Sequence, residues 1–185
     1  MDVFSTSVST ATAGIVNHRY LMSRVAFPRE IIPLSYVAAS LVDLGIGVLM
    51  LAAMMWYFGV YPTIRILYVI PLIGLVVACS AAAALCCSSF QARFRDVGIA
   101  LPLLLQILMF ATPVVYSSAA IPDGYKALYF ANPIAILIEA FRQVTILGAG
   151  PSVAQMTYCV TICIAWLVLA YILFKRLDAT LVDVI

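Results

Sequence analysis

The chain has 185 residues, of which 65% are hydrophobic and only 10% are charged. A soluble domain of this size carries roughly a quarter charged residues. Polar side chains are too few to cover a protein surface in water, so the composition indicates an integral membrane protein. The net charge of +2 is too small to predict binding to nucleic acid.

Four stretches are apolar and long enough to cross a bilayer as helices, which takes about 20 residues. These predicted spans are residues 33–58, 66–90, 97–116 and 153–174. The predicted fold class is therefore all-α integral membrane, with about four full transmembrane helices.

Two further segments are apolar but ambiguous. Residues 3–16 are uncharged, short and rich in Ser and Thr, and residues 131–147 contain Glu139 and Arg142. The second segment decides the topology, because positively charged loops stay on the cytoplasmic side. If residues 117–148 turn back instead of crossing, seven cations lie inside and the C-terminus is cytoplasmic. We therefore predict an external re-entrant or interfacial helical hairpin over residues 117–148. The seven inner cations are Arg19, Arg24, Arg29, Arg93, Arg95, Lys175 and Arg176.

Asp43 is the only charge in the first predicted span. An ionised carboxylate facing lipid costs several kcal/mol, so the side chain should face protein or a cavity. A polar channel wall and proton coupling are two functional interpretations. We favour a third, a buried and hydrogen-bonded packing group, because Gly45 and Gly47 follow and glycines allow close helix approach.

Two other sets of charged residues lie next to or within the apolar segments. Glu139 and Arg142 are three residues apart, so they can pair on one helix face. We interpret the pair as structural for the hairpin, with gating as the alternative. Arg93 and Arg95 precede Asp96 at an inner helix start, where they can contact lipid headgroups, a lipid-linked phosphate or a partner protein.

No motif for catalysis or nucleotide binding is present in the sequence. A phosphate-binding G-x-x-x-x-G-K-[ST] loop is missing, and the lone histidine, His18, has no evident catalytic partner. All five cysteines lie in apolar runs without His or acidic residues at metal-ligand spacing, which favours packing over metal binding. We therefore predict no catalytic residues, no metal site and no cofactor bound by this chain.

Four stretches resemble the membrane subunits of ABC-2-type exporters of polysaccharide, O-antigen and polyol phosphate. Together the four stretches cover most of residues 17–185 and occur in the family's order. In the C-terminal stretch, Asp178 and Leu181 stand where the family more commonly has Glu and Phe. The stretches are "NHRYLMSRVAFPREIIPLS", "RFRDVGIALPLLLQILMFATPVVY", "ANPIAILIEAFRQVTILG" and "FKRLDATLVDVI".

The resemblance implies a permease in the bacterial cytoplasmic membrane that exports lipid-linked polysaccharide. Two copies of it would pair with separate ATPase subunits that carry the ATP and Mg. Residues 17–30 would be the cytoplasmic helix that couples to the ATPase, and residues 117–148 would be external gate helices. The implied coupling residues are Arg19, Tyr20, Leu21, Met22, Arg24, Phe27, Pro28, Arg29 and Glu30.

Family members are typically longer, so residues 1–16 are expected to be the tail of a preceding span and the chain to be N-terminally truncated. Three alternatives stay open. They are a membrane-embedded enzyme acting on a lipid-linked sugar, a non-functional remnant, and an ABC-2 exporter with a different lipid or drug substrate.

Overall fold

The computed structural model describes residues 1–18, 28–59, 64–94, 96–112, 132–146 and 150–181, together with Gly124 and Gly148. Side chains are described up to Leu177. Within this part the chain is helical and contains no strand, which confirms the all-α fold class. The helices are α1 (Asp2–Asn17), α2 (Ile31–Tyr57), a 3₁₀ turn (Ile64–Tyr68) that continues into α3 (Val69–Arg93), α4 (Val97–Ala111), α5 (Pro133–Thr145) and α6 (Val153–Leu181).

Among the described residues, three helical segments are long and apolar enough to cross a membrane. They are Ile31–Tyr57, Ile64–Arg93 and Val153–Leu177, and they correspond to three of the four predicted spans. The fourth, 97–116, is represented by α4, whose 15 residues reach about 22 Å. That is short of the roughly 30 Å hydrocarbon layer, and residues 113–116 lie outside the described part. The described residues therefore contain membrane-spanning helices for three of the four predicted spans.

Helix α3 occupies the centre of the bundle and contacts every other described helix. Its middle section, residues 79–84, reads Cys-Ser-Ala-Ala-Ala-Ala and is buried throughout. Small side chains let neighbouring backbones approach closely, which is the main source of helix association where lipid weakens the hydrophobic effect. The interface between α3 and α6 is the most extensive one in the bundle.

The outward faces of the long helices are apolar. On α2, Leu49 is 71% exposed and Trp56 is 86% exposed. Such surfaces are costly in water but match lipid, so the bundle has the surface of a multi-pass membrane protein.

The helix ends follow local sequence signals. Pro33 lies in the first turn of α2, where a missing backbone N–H costs no helical hydrogen bond. Asn132 caps α5, since its Oδ1 accepts a hydrogen bond from the Ile134 N–H at 3.0 Å, and Pro133 follows at the first helical position. These signals fix where the two helices begin.

Gly14 allows α1 and α2 to pack closely, which leads to a first prediction. A Cβ added at Gly14 would collide with the Tyr36 ring, whereas one added at Gly47 meets no atom within 4 Å. We expect Gly14→Ala to destabilise the folded protein by about 1–3 kcal/mol through overpacking. Gly47→Ala is the matched control and should change stability little. Thermal unfolding of both variants in detergent measures the difference, and equal unfolding temperatures would contradict this packing.

Candidate functional site

One end of the bundle gathers the helix termini that carry most charged residues. Helices α1, α3 and α6 end there, and α2 and α4 begin there; we call it the basic end. An apolar cluster that includes Ile15, Ile32, Leu85 and Phe174 holds α1, α2, α3 and α6 together next to it. This packing brings the end of the predicted coupling segment beside the last helix.

An ion pair joins those two elements at the basic end. Lys175 Nζ lies 2.8 Å from Glu30 Oε2, and the Glu30 side chain is 17% exposed while that of Lys175 is 46% exposed. The same ammonium group lies 5.6 Å from the centroid of the Tyr171 ring, in range for a cation–π contact. Glu30 directly precedes the first residue of α2, so the pair links the start of α2 to α6.

Only part of the predicted coupling set falls in the described residues. The Pro28 carbonyl accepts a hydrogen bond from the Ile31 N–H at 3.1 Å, and the Arg29 carbonyl accepts one from Ile32 at 3.3 Å, so the segment turns directly into α2. Arg29 is half-buried. The remaining predicted coupling residues lie outside the described residues: Arg19, Tyr20, Leu21, Met22, Arg24 and Phe27.

The lone histidine makes a hydrogen bond that the sequence did not predict. His18 Nε2 lies 3.0 Å from the Tyr36 hydroxyl, and the two rings tilt at 32° with centroids 6.3 Å apart. The contact connects the residue after α1 to the second turn of α2. No spacing rule could have revealed it, because the predicted coupling segment separates the two residues.

Two charged residues of the described part lie next to the junction of α3 and α4 at the basic end. Arg93 is the last residue of α3 and is exposed, and Asp96 directly precedes α4 and is exposed. Arg95 lies outside the described residues. The structure therefore leaves Arg93 available for contact with an anionic group at the membrane surface.

Asp43 does not lie against another helix in the described part of the chain. Its side chain is exposed, and Cβ atoms added at Gly45 or Gly47 would meet nothing within 4 Å. The interpretation of Asp43 as a buried packing group beside close helix contacts is therefore wrong for the described helices. The sequence pattern misled because glycines permit close approach but do not require it.

The opposite end holds α5 and the charge pair that the sequence predicted, Glu139 with Arg142. Arg142 Nη1 lies 3.9 Å from Glu139 Oε2, which is within ion-pair range but longer than a hydrogen bond. Arg65 donates a hydrogen bond from Nη1 to the Gly148 carbonyl at 3.2 Å. The 3₁₀ turn is thus tied to the chain that follows α5, a role that the sequence did not indicate.

Two clefts run between α1 and α4, and the walls of both combine hydroxyl and amide groups with apolar side chains. One has a volume of about 370 Å³ and includes Ser5, Ser9 and Gln106 in its wall. The other, of about 230 Å³, includes Ser9 and Asn17. Hydroxyls and amides both donate and accept hydrogen bonds, so these clefts can hold a polyhydroxylated molecule. In the described residues, no group of three or more His, Cys, Asp or Glu is placed to hold a metal ion.

Comparison with known proteins places this chain among transporter membrane proteins. Residues 3–146 match the family described as "ABC-2 type transporter". An O-antigen export system permease protein RfbA of Klebsiella pneumoniae is 24% identical over 146 residues, which are 78% of this chain and 56% of that protein. A protein of the same description from Myxococcus xanthus is 26% identical over 143 residues, covering 76% and 55%. The chain spans about half the length of the curated relatives it matches.

The ion pair at the basic end yields a second prediction. Lys175→Glu places two carboxylates together and should lower the unfolding temperature, because a partly exposed ion pair worth about 1 kcal/mol is lost and like charges repel. The reversed pair, Glu30→Lys with Lys175→Glu, should recover most of the loss. Arg176→Glu, at the exposed neighbouring position, is the control for charge alone. Thermal unfolding at low and high salt tests this, and a double variant no more stable than the single one would contradict the pairing.

Proposed function

Because this chain belongs to the ABC-2 type transporter family, we propose that it forms part of a permease subunit that exports lipid-linked polysaccharide across the bacterial cytoplasmic membrane. The similarity to O-antigen export permeases carries the proposal. The three helices that can span a membrane and the sequence's lack of a P-loop support a transport subunit driven by another protein.

A separate ATPase subunit is the proposed source of energy, with ATP and Mg held on that subunit. Residues 17–30 are the proposed docking segment, at the basic end. Glu30 closes this segment and pairs with Lys175 at 2.8 Å, so a displacement of the segment would act on α2 and α6 together. The apolar cluster of Ile32 and Phe174 behind the pair makes the two helix ends move as one body.

The proposed route of the polymer includes the clefts between α1 and α4. Ser9 contributes to the walls of both clefts. Sugar hydroxyls lose their bonds to water on entering a membrane, and the cost is large unless protein groups replace those bonds. The hydroxyl and amide groups in these walls supply the replacement without selecting a single sugar.

The two ends of the bundle have different proposed roles. Arg93 and Arg95 would meet the lipid-linked phosphate or headgroups at the cytoplasmic surface, with the C-terminus on that side. Residues 117–148 would form the external gate, in which the contact of Glu139 with Arg142 stabilises α5. Two copies of the permease are proposed to pair.

Asp43 lies about 18 Å from the start of α2. Its carboxylate requires protein or water beside it, because contact with lipid is costly.

Partner dependence gives the third prediction. The chain should co-purify with an ATP-binding cassette ATPase from its own cells, and Phe27→Ala combined with Arg29→Glu should abolish both binding and surface polysaccharide. Arg65→Glu, at the opposite end, is the control and should retain ATPase binding. Pull-down and surface immunoblotting measure the two effects. Failure to capture the ATPase, together with unchanged export in the double variant, would refute the coupling proposal.

The clefts give the fourth prediction. Ser9→Leu fills part of both clefts with an apolar side chain and should lower the export rate at least severalfold while leaving ATPase binding intact. Thr157→Leu, on the exposed face of α6, makes the same kind of change outside the clefts and should export normally. Surface polysaccharide is measured at equal protein level. Equal export by both variants would contradict the proposal that the polymer passes through the clefts.

A further inference from the structure

Two cysteines from different helices meet inside the bundle. Cys79 Sγ of α3 and Cys163 Sγ of α6 lie 2.8 Å apart, and both residues are 0% exposed. Each is the eleventh residue of its helix, about 15 Å from the helix start, so the contact lies near the middle of the bilayer. We propose that Cys79 and Cys163 form a site of reversible oxidation, in which a disulfide links α3 to α6.

The geometry favours this pair over the other thiols. A disulfide bond needs sulfur atoms about 2.0 Å apart, and these two must move by less than 1 Å to reach that distance. Cys159 is also buried in the same apolar cluster, but it lies one turn from Cys163 on the same helix. Cys86 and Cys87 are only half-buried, and Cys87 belongs to a different cluster.

The surroundings determine which oxidant can act. The pair is packed with Leu72, Ile136 and Leu137, so water and water-soluble reagents are excluded. A lipid-soluble oxidant is required, such as copper(II)–phenanthroline with dioxygen. Each thiol loses a proton and an electron, the S–S bond forms, and the two electrons and two protons convert dioxygen to hydrogen peroxide.

The link would have a mechanical consequence for the bundle. The two cysteines are 84 residues apart in sequence, and closing a loop of this length restricts the unfolded chain strongly. The segment between them includes α4 and α5. Oxidation would thus link both ends of that segment at the α3–α6 interface. The disulfide would stabilise the folded protein against thermal unfolding.

Tryptic peptides provide a direct test. Membranes holding the full chain are treated with copper–phenanthroline, free thiols are alkylated, and the protein is digested without reductant. Trypsin releases residues 66–93 and 143–175 as separate peptides, and mass spectrometry should find them joined. Reduction should separate them. The oxidised protein should also unfold at a temperature several degrees higher than the reduced protein.

Matched variants identify the sulfurs. Cys79→Ser and Cys163→Ser should each lose the joined peptide and the gain in unfolding temperature. The single variant Cys159→Ser should keep the joined peptide and the gain in unfolding temperature. The double variant Cys86→Ser with Cys87→Ser should also keep them. The proposal fails if the oxidised wild-type chain yields no joined peptide, or if the joined peptide persists in Cys79→Ser or Cys163→Ser.

Discussion

The close packing of small side chains on α3 is the constraint on which the bundle depends. Lipid offers little hydrophobic driving force between helices, so contact and interhelical hydrogen bonds must hold them. Residues 79–84 present no side chain larger than cysteine, and α1, α2 and α6 all pack against α3. Ser88 adds a hydrogen bond across the interface by donating to the Ala11 carbonyl at 3.2 Å. A large residue in this stretch would push several helices outward at once.

This central contact gives the two ends of the bundle different characters. At the basic end, an apolar cluster and the Glu30–Lys175 pair join the start of α2 to the end of α6. At the opposite end, α5 lies over α3 and α6 through Ile136, Leu137 and Val144. The proposed coupling to an ATPase and the proposed external gate thus contact the same central helix. Movement at one end can reach the other through α3 without a separate linkage.

The sequence predicted the features that depend on local composition. The apolar run that begins at Pro33 located α2 to within two residues of its start, and the Ser- and Thr-rich residues 3–16 form α1. There Thr10 and Thr12 donate to carbonyls one turn earlier, at 2.7 and 2.6 Å, so their hydroxyls are satisfied inside the helix. Features that depend on tertiary packing were not predictable. The partners Glu30 and Lys175 are distant in sequence, and the open face around Asp43 depends on where α2 packs. Helix α6 continues past its predicted end because helix formation does not require an apolar sequence.

The proposed function requires an ATPase to act on the basic end before this chain conducts polysaccharide. The most direct measurement is transport in proteoliposomes that contain the chain and the partner ATPase, with a labelled lipid-linked polysaccharide in the outer leaflet. We expect ATP added outside to drive the polymer into the vesicle lumen, where added glycosidase cannot reach it, and a non-hydrolysable ATP analogue to leave it outside. Polymer that stays accessible with ATP, or that enters equally well without the ATPase, would contradict the account.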